Sequence, residues 1–394
     1  MRANDLRTEL ADHESADVRQ AMAARLPLWS QAFFSRFTGK ALPGQTLPHV
    51  SALRHLIWAL LCLAVGVALS AVAANSGHYL FLLPGWALTV HAARKLQLTI
   101  VHYCAHGTVL GTKGRNVRLG GVLSLLLFIT EFDKYKHGHI GHHKLNVLST
   151  PDDPTMQFLL LAGLEPGLTK RVLRRRLLTA LVSPRFHLRV LRGRVVSHFA
   201  GTSWRKRVAA AAYGAGLLFI PFATGAWLSF LLAIVVPLVL LYQISQLLRL
   251  CAEHSWSEEV GAGRTREDYA ELTSAVFIGA APPAGVGSTG ARVLSWGVWG
   301  FSMTGHALAR ACVMVGDTPC HDDHHQHPTS RGWCDYQTSR QHNLERAAQN
   351  YREKWGLLRT IDANFESFSR CSRPAPSRPA VAIPGAEPPL KEAA

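Results

Sequence analysis

Cysteine is scarce in this chain, and its spacing excludes several classes of protein. No two cysteines form a C-x-x-C pair, so a disulfide scaffold, a zinc ribbon and a rubredoxin-type site are all excluded. We interpret them as reduced, incidental thiols. The seven cysteines are Cys62, Cys104, Cys251, Cys312, Cys320, Cys334 and Cys371.

Charged residues are absent from two long stretches. No Asp, Glu, Lys or Arg occurs from Leu56 to Ala93 or from Val208 to Leu248. One helix needs roughly 20 residues to cross a bilayer core about 30 Å thick. Each stretch therefore predicts two crossings, with turns near 75–78 and 224–226. A large soluble helical protein with two buried hairpins is the alternative, but its core would not need apolar runs of this length. We predict an all-α, polytopic membrane protein with four transmembrane helices in two hairpins.

The remaining segments divide the chain into three regions. Residues 1–50 lack the apolar core and cleavage site of a signal peptide. They predict one or two short soluble or interfacial helices with an apolar stripe of Leu26, Trp29, Phe33 and Phe34. Residues 51–345 form the integral membrane domain. Within it, the short apolar stretches 119–130 and 292–310 are expected to be interfacial or buried against protein. Residues 346–394 predict a C-terminal helix followed by a disordered tail rich in Pro and Ala.

The net charge of +16 is concentrated beside the second apolar stretch. Twelve Lys or Arg residues and no acidic residue lie between Lys170 and Arg207. Such blocks mark the cytoplasmic flank of a membrane span. A nucleic-acid surface would need interleaved aromatic residues or a known module, and neither is present. We predict an integral protein of the bacterial inner membrane, with its active site on the cytoplasmic side and no nucleic-acid partner.

A glycine-rich segment, 285–290, matches the pattern G-x-G-x-x-G. A dinucleotide site needs a strand before the pattern, a helix after it and an acidic residue about 20 positions on. Pro282 and Pro283 precede this segment, and no acidic residue occurs between Gly290 and Val315. A loop is therefore predicted instead.

Histidine is abundant, with twenty residues, and the informative ones form three tight groups. In a helix, residues at i, i+3 and i+4 share one face, so each group can direct two or three imidazoles to one point. With four crossings in two hairpins, all three groups emerge on the side of the basic block. A further histidine, His254, follows the fourth crossing on that side. The groups are His102-x-x-x-His106, His139-x-x-His142-His143 and His321-x-x-His324-His325.

Eight or nine imidazoles exceed the four ligands of a tetrahedral zinc site. They suit two metal ions with positions left open for another ligand. Imidazole binds zinc, copper, nickel and iron, so residue type alone does not name the metal. Isolated histidines are predicted to be ordinary core or surface residues; these are His13, His49, His187, His198 and His342.

The three groups, in this order around two hairpins, resemble the histidine boxes of membrane fatty acid desaturases and hydroxylases. The resemblance covers about residues 50–345. It extends to Gly107-Thr108, Arg118-Leu-Gly120, Asp152-Asp153-Pro154, Arg249 with Glu253-His254, and His327-Pro328.

The resemblance implies an oxidoreductase with a non-haem di-iron centre. Two iron ions would activate O₂, as co-substrate, to remove hydrogen from an unactivated C–H bond of a fatty acyl chain. The implied iron ligands are His102, His106, His139, His142, His143, His321, His324 and His325, with His254 as the ninth.

Two departures from the family pattern bear on this site. Leu250 stands where some desaturases have an Asn, so this chain lacks that side chain for a water-mediated tenth contact. Asp322 and Asp323 lie inside the third group, either as carboxylates that orient imidazoles or as solvated surface charges. The role of His306 stays open.

The implied chemistry needs electrons from outside the chain. The sequence has no fused haem motif, no iron–sulfur cysteine set and no flavin site, which indicates an external ferredoxin or cytochrome. Arg171, Arg174, Arg175 and Arg176 could dock an acidic carrier, or could simply follow the positive-inside rule. The alternatives in function are a hydroxylase or ketolase of the same superfamily acting on a lipid, alkane or carotenoid, a metal transporter, and a non-catalytic scaffold.

Overall fold

The computed structural model describes residues 17–256 and 266–372. The predicted tail at 373–394 and His13 lie outside this part of the chain. The described residues are mostly helical. Their α-helices are α1 (Val18–Arg25), α2 (Gln31–Thr38), α3 (Ala52–Ser76), α4 (Leu82–Lys95), α5 (His102–His106), α6 (Lys113–Leu126), α7 (Phe132–His142), α8 (Pro154–Leu161), α9 (Lys170–Val182), α10 (Pro184–Phe199), α11 (Trp204–Thr224), α12 (Trp227–Phe230), α13 (Tyr242–Glu253), α14 (Arg266–Leu272), α15 (Thr289–Cys312), α16 (His321–Gln326), α17 (Tyr336–Arg346) and α18 (Leu357–Arg370).

Two π-helical segments join neighbouring α-helices into longer rods. Leu96–Val101 connects α4 to α5, and Leu231–Leu241 connects α12 to α13. Pro237 lies inside the second segment. Because proline has no N–H to donate, the regular α-helical hydrogen-bond pattern is interrupted at Pro237. Short 3₁₀ turns occur at Leu28–Ser30, Tyr79–Phe81, Thr318–Cys320, Arg331–Asp335 and Ala348–Asn350.

Three helices in the described part are long and apolar enough to cross a membrane. They are Ala52–Ser76, Trp204–Thr224 and Trp227–Glu253. The predicted second crossing corresponds to α4 and the π-helical segment after it. This rod contains His91, Arg94 and Lys95, which make it less apolar than the other three. The predicted turn at 224–226 is confirmed, because Gly225 ends α11 with a φ of 67° and α12 follows at Trp227.

Helices α3 and α4 pack unusually closely against each other. Gly66 on α3 lies against Thr89 on α4, and a Cβ placed on Gly66 would come within 2.7 Å of the Thr89 backbone nitrogen. A Cβ on Gly85 would lie 2.3 Å from the Ser70 hydroxyl. Small residues of this kind let membrane helices approach closely. The two glycines therefore fix where α4, and the histidines beyond it, lie relative to α3.

The helices outside the long rods form a cap with its own apolar core. This core is built from α8, α9 and α18, which pack on α13 at the end of a long rod, around side chains such as Leu173, Leu247 and Phe365. A two-stranded parallel sheet, β1 (Ala275–Phe277) with β2 (Glu353–Trp355), lies in the cap and departs from the all-helical prediction. The glycine-rich segment forms an irregular loop that leads to α15, whose N-cap is Ser288.

Large apolar side chains are exposed along the long rods, on α15 and in the N-terminal stripe. All of α15 is at least partly exposed, with Phe301 at 84 %. In the N-terminal stripe the Trp29 side chain is 85 % exposed. The ring centres of Phe34, in the same stripe, and of Trp299 on α15 lie 6.4 Å apart. Exposed apolar faces of this kind mark surfaces that meet lipid or another protein.

Candidate metal centre

The three histidine groups fold as helices, as the spacing predicts. His102 and His106 lie on α5, which ends at Gly107 with a φ of 78°. His139 and His142 lie in the last turns of α7, and His143 is its C-cap. His321, His324 and His325 lie on α16.

The structure brings nine histidines together in two neighbouring groups. In the first group, potential ligand atoms lie within 4.8 Å of one another. The Nε2 atom of His102 lies 2.7 Å from that of His324, and the Nε2 atoms of His106 and His139 are 2.8 Å apart. Its members are His102, His106, His139, His143 and His324.

The second group contains four buried histidines. The Nε2 atoms of His142 and His254 are 3.1 Å apart, and those of His321 and His325 are 3.0 Å apart. His254 follows α13 directly, with an extended backbone at φ −126°. This change of direction turns its ring towards α7 and α16.

The second and third histidine groups of the sequence each contribute to both sites. His139 and His143 point to the first site, whereas His142 between them points to the second. On α16, His321 and His325 point to the second site and His324 to the first. Residues four apart differ by only about 40° around a helix axis, so they share a site. The remaining histidine of each group, His142 on α7 and His324 on α16, faces the other site.

The geometry fits metal ions better than hydrogen bonding among the rings. Ligands at about 2.1 Å from one cation, with right angles between them, lie about 3.0 Å apart, which matches the Nε2 separations. Hydrogen bonds among these clustered imidazoles cannot account for so many short nitrogen–nitrogen contacts, because a neutral imidazole has only one donor and one acceptor. The Nδ1 atoms of His143, His254 and His324 are also buried without a hydrogen-bond partner. The residues present therefore fit two metal ions.

Three of the rings are oriented by contacts on the Nδ1 side. His142 Nδ1 donates to Asp153 Oδ1 at 2.8 Å, and His102 Nδ1 donates to the Leu98 carbonyl at 2.9 Å. His325 Nδ1 contacts the Tyr269 hydroxyl, which also reaches the His143 carbonyl at 3.4 Å. With a proton held on Nδ1, Nε2 is left free as the ligand atom.

Burial favours the neutral form that ligation requires. Burial, with repulsion from neighbouring rings, lowers the pKa of His139, His143 and His324 well below the ordinary value. Burial also opposes the charged form of His142, but the charge and hydrogen bond of Asp153 outweigh it, so the pKa of His142 is raised. Asp153 therefore makes the His142 ring more basic.

Asp322 and Asp323 are not surface charges, so that alternative is wrong. Asp322 is fully buried, and its carboxylate accepts hydrogen bonds from Nε and Nη2 of Arg340 at 2.7–3.0 Å. Asp323 accepts hydrogen bonds from Asn343 and Tyr351, both at 2.8 Å. The two carboxylates tie α16 to α17 and to the chain before β2. They fix the helix that carries three histidines rather than the individual rings.

One carboxylate lies against the second site itself. Glu253 is the last residue of α13 and is 5 % exposed. Its Oε1 atom lies 2.9 Å from His321 Nε2. Arg249, one turn earlier on the same helix, forms an ion pair with the same oxygen.

Aromatic rings extend outward from the first site. The ring of His102 stacks on Tyr103 at 4.8 Å, and Tyr103 stacks on Trp333 at 4.5 Å. The Tyr103 hydroxyl donates to buried Asp317 at 2.7 Å. A cavity of about 10 Å³, enough for one water molecule, lies beside these residues and His324.

Sequence reasoning missed several residues that shape the site. Asp153 and Glu253 stood in the family pattern without a role; the available signal was their place in that pattern and, for Glu253, its position directly before His254. Tyr269, Asp317 and Arg340 carried no signal, since they reach the site only through folding.

The other histidines lie outside both sites. His137 is exposed on α7, and His306 lies on α15. His187 and His198 are buried, with hydrogen bonds to Gln243 and to the Ile129 carbonyl. His49 pairs with Asp335.

Comparison with known proteins agrees with this geometry. The family described as "Fatty acid desaturase" matches residues 78–359, which include all nine histidines. No curated protein and no solved structure matched the chain. The family and the clustered histidines indicate a metal site and an oxidoreductase of the membrane lipid-oxidase type. With more than half of its length matched, this chain belongs to the fatty acid desaturase family.

Proposed function

We propose that this protein is a membrane di-iron oxidase that desaturates a fatty acyl chain with O₂. The observation that carries the proposal is the pair of adjacent imidazole groups in a chain with apolar spans that belongs to this family. The proposed iron ligands are His102, His106, His139, His142, His143, His254, His321, His324 and His325.

We propose four crossings, with the rod of α4 and its π-helical segment as the second. From Leu82 to Val101 this rod has 20 residues, which is enough to cross a bilayer core. Its close packing on α3 through Gly85 supports a hairpin. In this proposal the cap and the iron site lie on the cytoplasmic side of a bacterial inner membrane, which the basic residues of α9 and α10 support. The exposed apolar face of α15 then lies at the lipid surface.

Two iron ions, if held by these residues, would supply the O₂ activation that removal of hydrogen from a methylene group requires. The protein residues hold nine neutral imidazoles in place and exclude water from the site, since six of the nine are buried and the other three, His106, His139 and His143, are half-buried. The apolar acyl chain enters from the bilayer between the rods that end in α5 and α13. These two rods carry His102 and His254 at the site.

Electrons come from an external ferredoxin or cytochrome in this proposal. The basic surface of α9 is only partly available for docking. Arg174 pairs with Asp362 and Arg176 with Glu165. Arg171 and Arg175 are exposed and have no ion pair with the described residues. They are the better candidates for contact with an acidic carrier.

The other classes of function fit the geometry less well. A transport site is expected near the bilayer midplane on broken helices, whereas His102 and His254 lie at the ends of their rods and most of the other histidines lie in the cap. A hydroxylase or ketolase would use the same imidazole set, so the product distinguishes it.

The test is expression in a bacterium with simple lipids, followed by mass spectrometry of fatty acids and other lipids. The wild type should produce a new unsaturated acyl chain, and His142→Ala should abolish it. His137→Ala is the matched control, because His137 lies on the same helix with its side chain exposed. An oxygenated product with unchanged lipid unsaturation would replace desaturation with hydroxylation. Full activity of His142→Ala would contradict the ligand assignment.

A further inference from the structure

The two imidazole groups are unequal, with five histidines in the first and four in the second. The sequence offers no Asn before His254 to complete the smaller group, because Leu250 stands there. The neighbouring acidic side chain, Glu253, lies at the same site.

Glu253 approaches its histidine from the side on which a metal ion would sit. A carboxylate that only orients an imidazole contacts the nitrogen that is not a ligand, as Asp153 does at His142 Nδ1. Glu253 Oε1 instead lies 2.9 Å from His321 Nε2, which itself lies 3.0 Å from His325 Nε2. These separations are those of neighbouring ligands on one ion.

Local structure explains how two consecutive residues reach one site. Glu253 closes α13, and His254 adopts an extended backbone with a ψ of 144°. The helix and the extended segment direct successive side chains to the same side. Arg249, which is bonded to the carboxylate from one turn earlier, restricts its rotation.

We propose that Glu253 is the fifth protein ligand of the second metal ion. The two sites then have five protein donors each, one entirely of imidazole and one of four imidazoles with a carboxylate. A carboxylate oxygen is a harder ligand than imidazole, so the two ions differ in electronic environment. This inference rests on the proposed di-iron centre.

The test uses full-length protein loaded anaerobically with ⁵⁷Fe(II) and measured by Mössbauer spectroscopy and iron analysis. The wild type should show two quadrupole doublets of equal area. In Glu253→Gln one doublet should shift, and the affinity for one of the two ions should fall at least about tenfold. Glu131→Gln is the matched control, because Glu131 is also buried and paired with a cation, Lys206, away from the histidines. It should leave both doublets unchanged.

A second variant covers the case in which Glu253→Gln does not fold. Glu253→Asp keeps the negative charge beside Arg249 but withdraws the oxygen by one methylene, so the same doublet should shift. Unchanged doublets and affinities in folded Glu253 variants would overturn the inference and leave Glu253 as the ion-pair partner of Arg249. A wild type that binds no iron would instead overturn the proposed function.

Discussion

Asp153 and His142 form a fully buried pair in which His142 Nδ1 donates to Asp153 Oδ1 at 2.8 Å. Asp153 also accepts from the backbone nitrogens of Ser149 and Thr155, both at 2.8 Å. The same side chain therefore caps α8 and orients a proposed metal ligand.

Replacing Asp153 with Asn should weaken metal binding while α8 stays capped, because Asn and Asp cap helices about equally well. Loss of the carboxylate removes the charge that makes His142 more basic. We expect affinity for one of the two ions to fall about 10- to 100-fold, measured by competition with a chelator. Asp152→Asn is the control, since the exposed Asp152 side chain lies one position away. Equal affinities in the two variants would contradict a role for Asp153.

Replacing Tyr269 with Phe should loosen the ring of His325. The hydroxyl links His325 Nδ1 to the His143 carbonyl, so it joins two of the histidine groups. We expect a loss of metal affinity with little change in the stability of the unloaded protein, measured by chelator competition and by thermal unfolding. Tyr213→Phe removes a hydroxyl bonded to the Leu126 carbonyl, away from the histidines. If both variants lose affinity equally, Tyr269 has no specific effect on His325.

Removing Asp322 should destabilise the fold rather than only the metal site. Asp322→Ala leaves Arg340 buried without its main partner, and breaking a buried ion pair costs about 3–5 kcal/mol. The midpoint of thermal unfolding should therefore fall even with a chelator present. Asp133→Ala, at an exposed carboxylate that pairs with Lys206, should change it little. A normal midpoint for Asp322→Ala with weaker metal binding would show that Asp322 acts on the histidines instead.

Enlarging Gly85 should separate α4 from α3. A Cβ on Gly85 already meets the Ser70 hydroxyl at 2.3 Å, so Gly85→Leu cannot be accommodated without moving α4 away from α3. We expect a lower yield of folded protein in detergent, assayed by size-exclusion chromatography. Gly214→Leu is the control, because nothing lies within 4 Å of its added Cβ on α11. Normal yield and activity of Gly85→Leu would contradict the close packing.

The sequence was informative wherever a local pattern determined the outcome. Helical spacing predicted that each group would direct two or three imidazoles to one point, which holds for His139 with His143, and uncharged runs predicted the long rods. Spacing did not reveal that His142 would serve the other site, because that depends on where α13 and α16 lie in space. The same holds for Asp322, whose burial is created by Arg340 from a later helix.

The composition of α4 shows a second limit. Arg94 is fully buried, with its guanidinium group 5.1 Å from the centre of the Tyr242 ring and a hydrogen bond to Gln97 at 2.6 Å. The sequence predicts that the second crossing continues as a helix through Arg94, and the rod does continue to His106. The sequence does not reveal that Tyr242 and Gln97 meet this guanidinium group in the buried interior.

The central claim is that nine imidazoles hold two iron ions. Iron analysis of the full-length protein, purified and loaded under anaerobic, reducing conditions, tests it most directly. The account predicts two tightly bound ions per chain, falling to one or none in His142→Ala and staying at two in His137→Ala. A wild type that retains no iron under these conditions would contradict it.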